Sequence, residues 1–241
     1  MSACASGNPG SSSIELRLGG LTPLSSCDWP GELAAVLFCR GCAWACPYCH
    51  NRHLMPAAGP SEPSWAEAMA FLGRRRGLLD GVVFSGGEPT LQRDLGPAMA
   101  AVRALSFRVG LHSAGPCPER LAAVLPLVDW VGFDVKAPFA DYDRVTGAAG
   151  SGGKARESLI RLLAAGVPYE VRTTAHPGIL DAAALLRLAG EIAALGVTRY
   201  ALQVAHQTGS EDSGQGYLRF DEIVAALKSQ FQDFTLRGSS S

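Results

Sequence analysis

The chain has 241 residues, 47% hydrophobic and 18% charged, which is enough apolar material for a sizeable buried core and excludes wholesale disorder. Its 21 Lys plus Arg balance 22 Asp plus Glu, so no broad positive field gathers nucleic acid or anionic membrane, although 18 of the 21 basic groups are arginines and a local patch stays open. No run approaches the roughly 18 apolar residues of a spanning helix, and MSACASGNPG lacks the basic start and apolar run of a secretory signal; the expectation is a cytoplasmic protein with no membrane partner and nucleic acid disfavoured.

Residues 1–13 are small and polar and read as disordered, as does the serine-rich end after Gly238. The expected division is a flexible N-terminal segment over 1–20, one core domain over 21–236 and a flexible tail over 237–241. Within the core, strands are predicted at 33–39, 80–85, 107–113, 129–135, 169–175 and 200–205. Helices are predicted around 63–76, 91–105, 118–126, 154–165, 181–195 and 220–231. The alternation gives an α/β chain of six consecutive β/α units with a parallel sheet.

A doubly wound sheet and a barrel that stops short of eight units both fit this order. The polar residues at the C-terminal ends of the predicted strands favour the barrel. These are Cys39, Ser85, His112 with Ser113, Asp134, Arg172 with Thr173 and Thr174, and Gln203. In a partial TIM-like barrel such ends converge on one cavity, and six units leave its wall laterally open to a large partner.

Seven cysteines is an odd number, and four of them lie in CRGCAWACPYCHN as Cys39-x2-Cys42-x3-Cys46-x2-Cys49, a pattern that suits a metal site better than a disulfide framework. Cys4, Cys27 and Cys117 are scattered and read as ordinary thiols. Soft thiolates close together on a loop can wrap a small iron-sulfur cube, and if only Cys42, Cys46 and Cys49 bind, the fourth iron keeps a free position. The alternative is a Cys4 zinc knuckle, which leaves no open position and ordinarily separates its two pairs by a longer stretch. Cys39 ends an apolar run and is expected as a buried thiol beside the cluster.

This segment, together with LTPLSSCDWPGELAAVLF before it and GVVFSGGEPTLQ, DWVGFDVKAP, VTG, EVRTTAHPG and YALQV after it, resembles the radical S-adenosylmethionine enzymes. Within them it resembles the glycyl-radical-enzyme activases that serve anaerobic ribonucleoside-triphosphate reductase. The likeness covers most of residues 21–205. It implies one 4Fe-4S cluster on Cys42, Cys46 and Cys49, S-adenosylmethionine on the remaining iron, and an external one-electron donor such as flavodoxin or ferredoxin. The implied partner is a glycyl radical enzyme that loses a glycine α-hydrogen; the alternative within enzymes is modification of a small molecule or RNA base.

The resemblance also implies roles for further residues. Tyr48 takes the aromatic place near the adenine, and Ser85, Gly86, Gly87, Glu88 and Pro89 form the turn that receives the methionine moiety, with paired glycines admitting a close ligand. Asp134 and Lys136 share one side of their strand end, and the resemblance implies that Lys136 meets the cofactor carboxylate or the substrate backbone with Asp134 as its electrostatic companion. A plain salt bridge is the simpler account of that pair. Arg172 is expected to face the cavity, with an ion pair to Glu170 or another carboxylate as its alternative. Ser113, His176 and Gln203, with His112, are further candidates on the rim. AHQTGSEDSG over 205–214 departs from the family pattern, which leaves partner recognition there untransferred.

Overall fold

The structure, a computed structural model, describes residues 14–176, 178–204 and 215–238. The divergent 205–214 segment lies outside the described residues. Six strands form where the sequence predicts them: β2 Ala34–Cys39, β3 Gly81–Gly86, β4 Arg108–Ser113, β5 Trp130–Asp134, β6 Tyr169–Ala175 and β7 Arg199–Val204. Each is a short run of branched or aromatic residues that buries both faces, as parallel strands under helices do. They pair in parallel and in chain order.

Two further strands flank these six. The first, β1 (Leu18–Ser25), pairs antiparallel with β2 through two register shifts, and β8 (Asp233–Arg237) pairs in parallel with β7. Gly19, Gly20 and Pro23 hide β1 from a propensity reading, because such residues are tolerated in a strand only at an edge or bulge. Residues 18–20, expected in the N-terminal segment, belong to β1, and Arg237, expected in the C-terminal tail, belongs to β8. Among the described residues β1 and β8 are not paired, so the eight-stranded sheet is a partial TIM-like barrel open between them.

The outer face of the sheet is covered by helices α1 Trp65–Gly73, α2 Leu95–Ala104, α3 Pro118–Val124, α4 Tyr142–Thr146, α5 Ser151–Ala165, α6 Ala182–Ala194 and α7 Gln215–Gln230. Their starts are chemically marked. Ser64 and Glu67 form a reciprocal capping box on α1, and Asp181 accepts the Ala184 N–H at 2.7 Å to cap α6. The short α4 had no counterpart among the predicted helices, since five residues are too few to show a helical period. Cys117, expected as an ordinary thiol, is disulfide-bonded.

Alternation along the strands gives the sheet two cores. Ala35, Leu37, Phe84, Leu111, Phe133 and Val171 pack outward under the helices. Inside the barrel a smaller cluster joins Trp29, Ala34, Val36, Val83 and Trp130. Trp29 comes from the link between β1 and β2 and stacks on Trp130 with ring centroids 5.8 Å apart. It fits because Gly81 and Gly110 carry no side chain: a Cβ on either would stand 2.8 or 2.9 Å from its ring. Arg108 lies over the same indole at 5.2 Å and pairs with Glu32.

The indole fills the lower half of a barrel that has no closing strand pair. Trp29→Ala is therefore expected to lower the unfolding free energy by about 3–5 kcal/mol, read from the urea midpoint at unchanged slope. A loss below about 1 kcal/mol would show that the interior does not depend on this ring.

Candidate active site

The loop bearing Cys42, Cys46 and Cys49 leaves the C-terminal end of β2 and is held by backbone from several parts of the chain. Arg40 N–H donates to Arg17 O (2.9 Å), Gly41 N–H to Leu54 O (2.8 Å), Cys42 N–H to Met55 O (3.1 Å) and Ala45 N–H to Thr146 O (2.8 Å). Gln92 Nε2 donates to Arg40 O at 2.6 Å, and the Arg52 guanidinium donates to Pro47 O. Such bonds fix the loop independently of any ligand.

The turn after β3 grips the root of this loop. Gly87 N–H donates to Cys39 O and Glu88 N–H to Gly41 O, both at 2.8 Å. A Cβ on Gly86, whose φ is +111°, would lie 2.5 Å from Cys39 N and O, and one on Gly87 would lie 2.3 Å from Gly41 O. Glycine is thus required for close approach to the loop's own backbone, a reason the sequence reading had assigned to a ligand alone.

Glu88 is buried, and its carboxylate accepts Thr90 N–H (3.1 Å), Thr90 Oγ1–H (2.6 Å), Ser113 Oγ–H (2.8 Å) and Ala114 N–H (3.0 Å). Burial pushes its carboxyl above the usual carboxylate range, with those four bonds opposing. Pro89 opens the single 3-10 turn Pro89–Leu91 that Glu88 caps. Ser113, expected on the cavity rim, instead sits buried on the helix side of β4. Glu88, Pro89 and Ser113 support the turn from behind, with the Glu88 carboxylate taken up by Thr90, Ser113 and Ala114 and the Ser113 hydroxyl by Glu88 and Gly115.

Ser85, His112, Asp134 and Arg172 meet on the inner face. Arg172 crosses over Gly132 to donate from Nε to Asp134 Oδ1 at 3.0 Å, and Lys136 Nζ lies 3.7 Å from Asp134 Oδ2. The ion pair expected as the alternative role of Arg172 is thus present, with Asp134 as the carboxylate and not Glu170, which is taken bidentately by Arg237 at 2.7 and 2.8 Å. Burial works to raise the Asp134 carboxyl, but Arg172, Lys136 and His112 outweigh it and leave it below the carboxylate range. Burial likewise opposes charge on Lys136, and Asp134 above all overturns that and raises it beyond the ordinary lysine value.

His112 contacts Asp28 O through Nε2 (2.7 Å) and Ser85 Oγ through Nδ1 (3.1 Å). Burial, then the charge of Arg172, lowers its pKa to about 4, so the ring is neutral. A carbonyl can only accept, which puts the proton on Nε2 and leaves Nδ1 to accept from Ser85. Arg172 Nη1, 3.2 Å from Nε2, then has no lone pair there to use.

Around the loop itself, burial pushes the Cys42 thiol up to about 11, against the Trp44 N–H and the charge of Lys136. Cys46 is raised for the same first reason and also opposed by Lys136. Thiolate ligation therefore displaces protons, and Lys136 favours that change. Tyr48, raised by burial to about 12, stacks on His176 with centroids 6.1 Å apart, and among the described residues its buried Oη has no hydrogen-bond partner. Gln203 stands opposite Thr174 on one side and Arg237 on the other, and among the described residues its side chain makes no hydrogen bond to the inner-face group.

The residues fit a cluster with a cofactor beside it. Three partly buried thiols, a cation–anion–cation group and an orphaned phenol hydroxyl surround one region. Cys39 is wholly buried in the outer core, which removes the fourth thiol a zinc knuckle needs. Among the described residues no three His, Cys, Asp or Glu side chains converge on a single ion, and a cube, which gives each thiolate its own iron, asks for no such convergence. Trp44 and Tyr142 were missed in the sequence because nothing in their spacing marks them. Thr146 stood in a quoted motif without a task.

The Radical SAM superfamily profile matches residues 36–206. The chain belongs to the radical SAM superfamily. A Methanocaldococcus jannaschii protein, provisionally named a glycyl-radical enzyme activating enzyme, is 31% identical over 177 residues, covering 70% of this chain and 72% of that one. PqqA peptide cyclase of Xanthomonas euvesicatoria is 34% identical over 157 residues, covering 61% of this chain, and the chain spans only 41% of its length. The crystal structure of QueE from Escherichia coli shares the fold at a TM-score of 0.55 and 16% identity, covering 93% of this chain and 95% of that one. This radical SAM protein is an oxidoreductase that takes a 4Fe-4S cluster and S-adenosylmethionine. Among its described residues no helix is long and apolar enough to cross a membrane.

Three substitutions test the site's construction. Glu88→Gln puts an amide NH2, a donor, in place of an acceptor oxygen that faces donors, and is expected to cost about 1–3 kcal/mol of stability by thermal unfolding; an unchanged midpoint would remove Glu88 from the support of the turn. Cys39→Ala is expected to retain iron-sulfur absorption after anaerobic reconstitution, whereas Cys46→Ala loses it.

Proposed function

We propose that Cys42, Cys46 and Cys49 hold the cluster and that S-adenosylmethionine lies against the Gly86–Gly87 turn, with Lys136 at its carboxylate and Tyr48 and His176 flanking its nucleoside. When bound, this pair of groups supplies reductive C–S cleavage to methionine and a 5'-deoxyadenosyl radical, the chemistry to which the protein adds position and shelter. Asp134 between two cations leaves one net positive charge, which suits one carboxylate. Arg172 and His112 hold that carboxylate's neighbours rigid, and the Tyr48 ring over His176 keeps water from the region around Cys46 and Cys49. Residues 21–236 act as one radical SAM core in this reading.

The narrower proposal is that hydrogen is taken from a glycine of a partner glycyl radical enzyme, an anaerobic ribonucleoside-triphosphate reductase, with flavodoxin or ferredoxin as electron donor. The observation that carries it is the 31% identity to the archaeal relative over most of both chains. The open side between β1 and β8 also suits a protein segment. Hydrogen-atom abstraction needs close approach and no general base, so backbone contacts suffice to present a glycine.

The wider proposal, a peptide, small molecule or RNA base as substrate, has the broader support. A relative at 34% identity is named for cyclising a peptide, and the end-to-end fold match is to QueE. Deuterium transfer separates the two. The reduced, reconstituted protein is expected to carry about four irons and four sulfides. With S-adenosylmethionine and an anaerobic ribonucleotide reductase it is expected to give a protein radical whose hydrogen splitting in electron paramagnetic resonance collapses when the glycine is deuterated, and 5'-deoxyadenosine that then contains deuterium. Nucleoside formation without label or protein radical assigns the hydrogen to the wider class.

A further inference from the structure

Tyr142, the first residue of α4, is fully buried, and its aromatic ring faces two partners. The Trp44 indole meets it edge-on at 5.6 Å and 72°, and Phe139 stacks on it at 6.0 Å and 22°. Trp44 lies in the cluster loop between Cys42 and Cys46, and its backbone N–H favours the Cys42 thiolate. At its polar end, Tyr142 Oη accepts the backbone N–H of Lys136 at 2.9 Å. No acceptor for the phenol's own proton occurs among the described residues, so Oη makes this one bond and no other.

The same helix touches the loop a second time. Thr146 Oγ1 donates to Tyr142 O at 2.9 Å, and Thr146 O accepts the Ala45 N–H at 2.8 Å. Trp44 and Ala45 are thus clasped by α4 through a ring and a carbonyl, while the N-terminal residue of α4 holds the main chain at Lys136. Lys136 lies past the end of β5, where no strand pairing supports its N–H. The ladder stops at the Asp134–Arg172 pair, with Val135 N–H still reaching Arg172 O at 2.8 Å. The Tyr142 hydroxyl is what continues the support by one residue.

We infer that Tyr142 is a positioning residue that ties Lys136 to the cluster loop, so that the ammonium and the loop's thiols keep one separation when S-adenosylmethionine binds. The inference rests on the proposed contact of Lys136 with the cofactor's carboxylate. Tyr142 itself touches neither the reacting atoms nor the cysteines. Removal of its oxygen leaves both ring contacts in place and orphans one buried N–H at the point where Lys136 is set.

The test compares Tyr142→Phe with Lys136→Met in reconstituted protein. S-adenosylmethionine binding is followed by the change it causes in the electron paramagnetic resonance of the reduced cluster, and cleavage by 5'-deoxyadenosine release. Tyr142→Phe is expected to raise the dissociation constant about fivefold or more, with the cleavage rate at saturation within about twofold and the iron content unchanged. Lys136→Met is expected to weaken binding further. Native affinity in Tyr142→Phe beside weakened Lys136→Met overturns the inference alone, and native affinity in both overturns the reading of Lys136. If Tyr142→Phe takes up no cluster, Phe139→Leu, which loosens the ring but keeps the hydroxyl, supplies the second measurement: weaker binding at full iron content supports the tie, and native binding overturns it.

Discussion

Gly86 and Gly87 run so close to Cys39–Gly41 that a methyl group on either would overlap backbone atoms, and the site depends on that closeness. The two 2.8 Å hydrogen bonds made there bind the end of one strand to the loop that follows its neighbour. The loop then has one fixed root from which to meet Leu54 and Met55 on one side and Thr146 on the other. Glu88 carries the same constraint backward, since its carboxylate joins the turn to Thr90, Ser113 and Ala114. A site that must hold an inorganic cube thus rests on main-chain contacts, which do not change with side-chain rotamer.

The inner face is arranged in two levels of different character. The lower level is apolar, with Trp29 and Trp130 filling the space a closed barrel would fill with layers of branched side chains. The upper level is polar and nearly fully paired, through Ser85, His112, Asp134 and Arg172. His112 joins the two: its edge rests on Trp130 while both nitrogens are engaged, and a neutral ring there adds no second positive charge beside Arg172. The charge presented to a ligand is set by three residues alone, Lys136, Asp134 and Arg172.

Much of this was legible in the sequence where a physical signal was strong. Strands such as Ala34–Cys39 read clearly because a strand buried on both faces is a continuous apolar run. The edge strands did not, since β1 carries glycines and a proline and β8, with no buried residue, lacks an apolar run. The cysteine spacing marked the loop, and alternation placed Asp134 and Lys136 together. Ser113 was misread because it neighbours His112 in sequence yet faces the other side of the sheet, as alternation itself requires. Gly86 and Gly87 were recognised, but close packing of one loop on another leaves no periodic trace. Tyr142 and Trp44 meet across nearly a hundred residues, a separation that one sequence does not encode.

Because the eight strands lie side by side in the order in which they are made, each new β/α unit docks on the one before it. The cluster loop is an exception to this progression. Its cysteines are synthesised early, after the second strand, but the partners that fix it come from residue 17, from 54 and 55, from 86–92 and finally from 142–146. The growing chain carries three soft thiols on a half-braced loop until α4 exists. The loop therefore reaches its fully braced form only after residues 142–146 have been added, and a chain cut short of them lacks the bracket on one side.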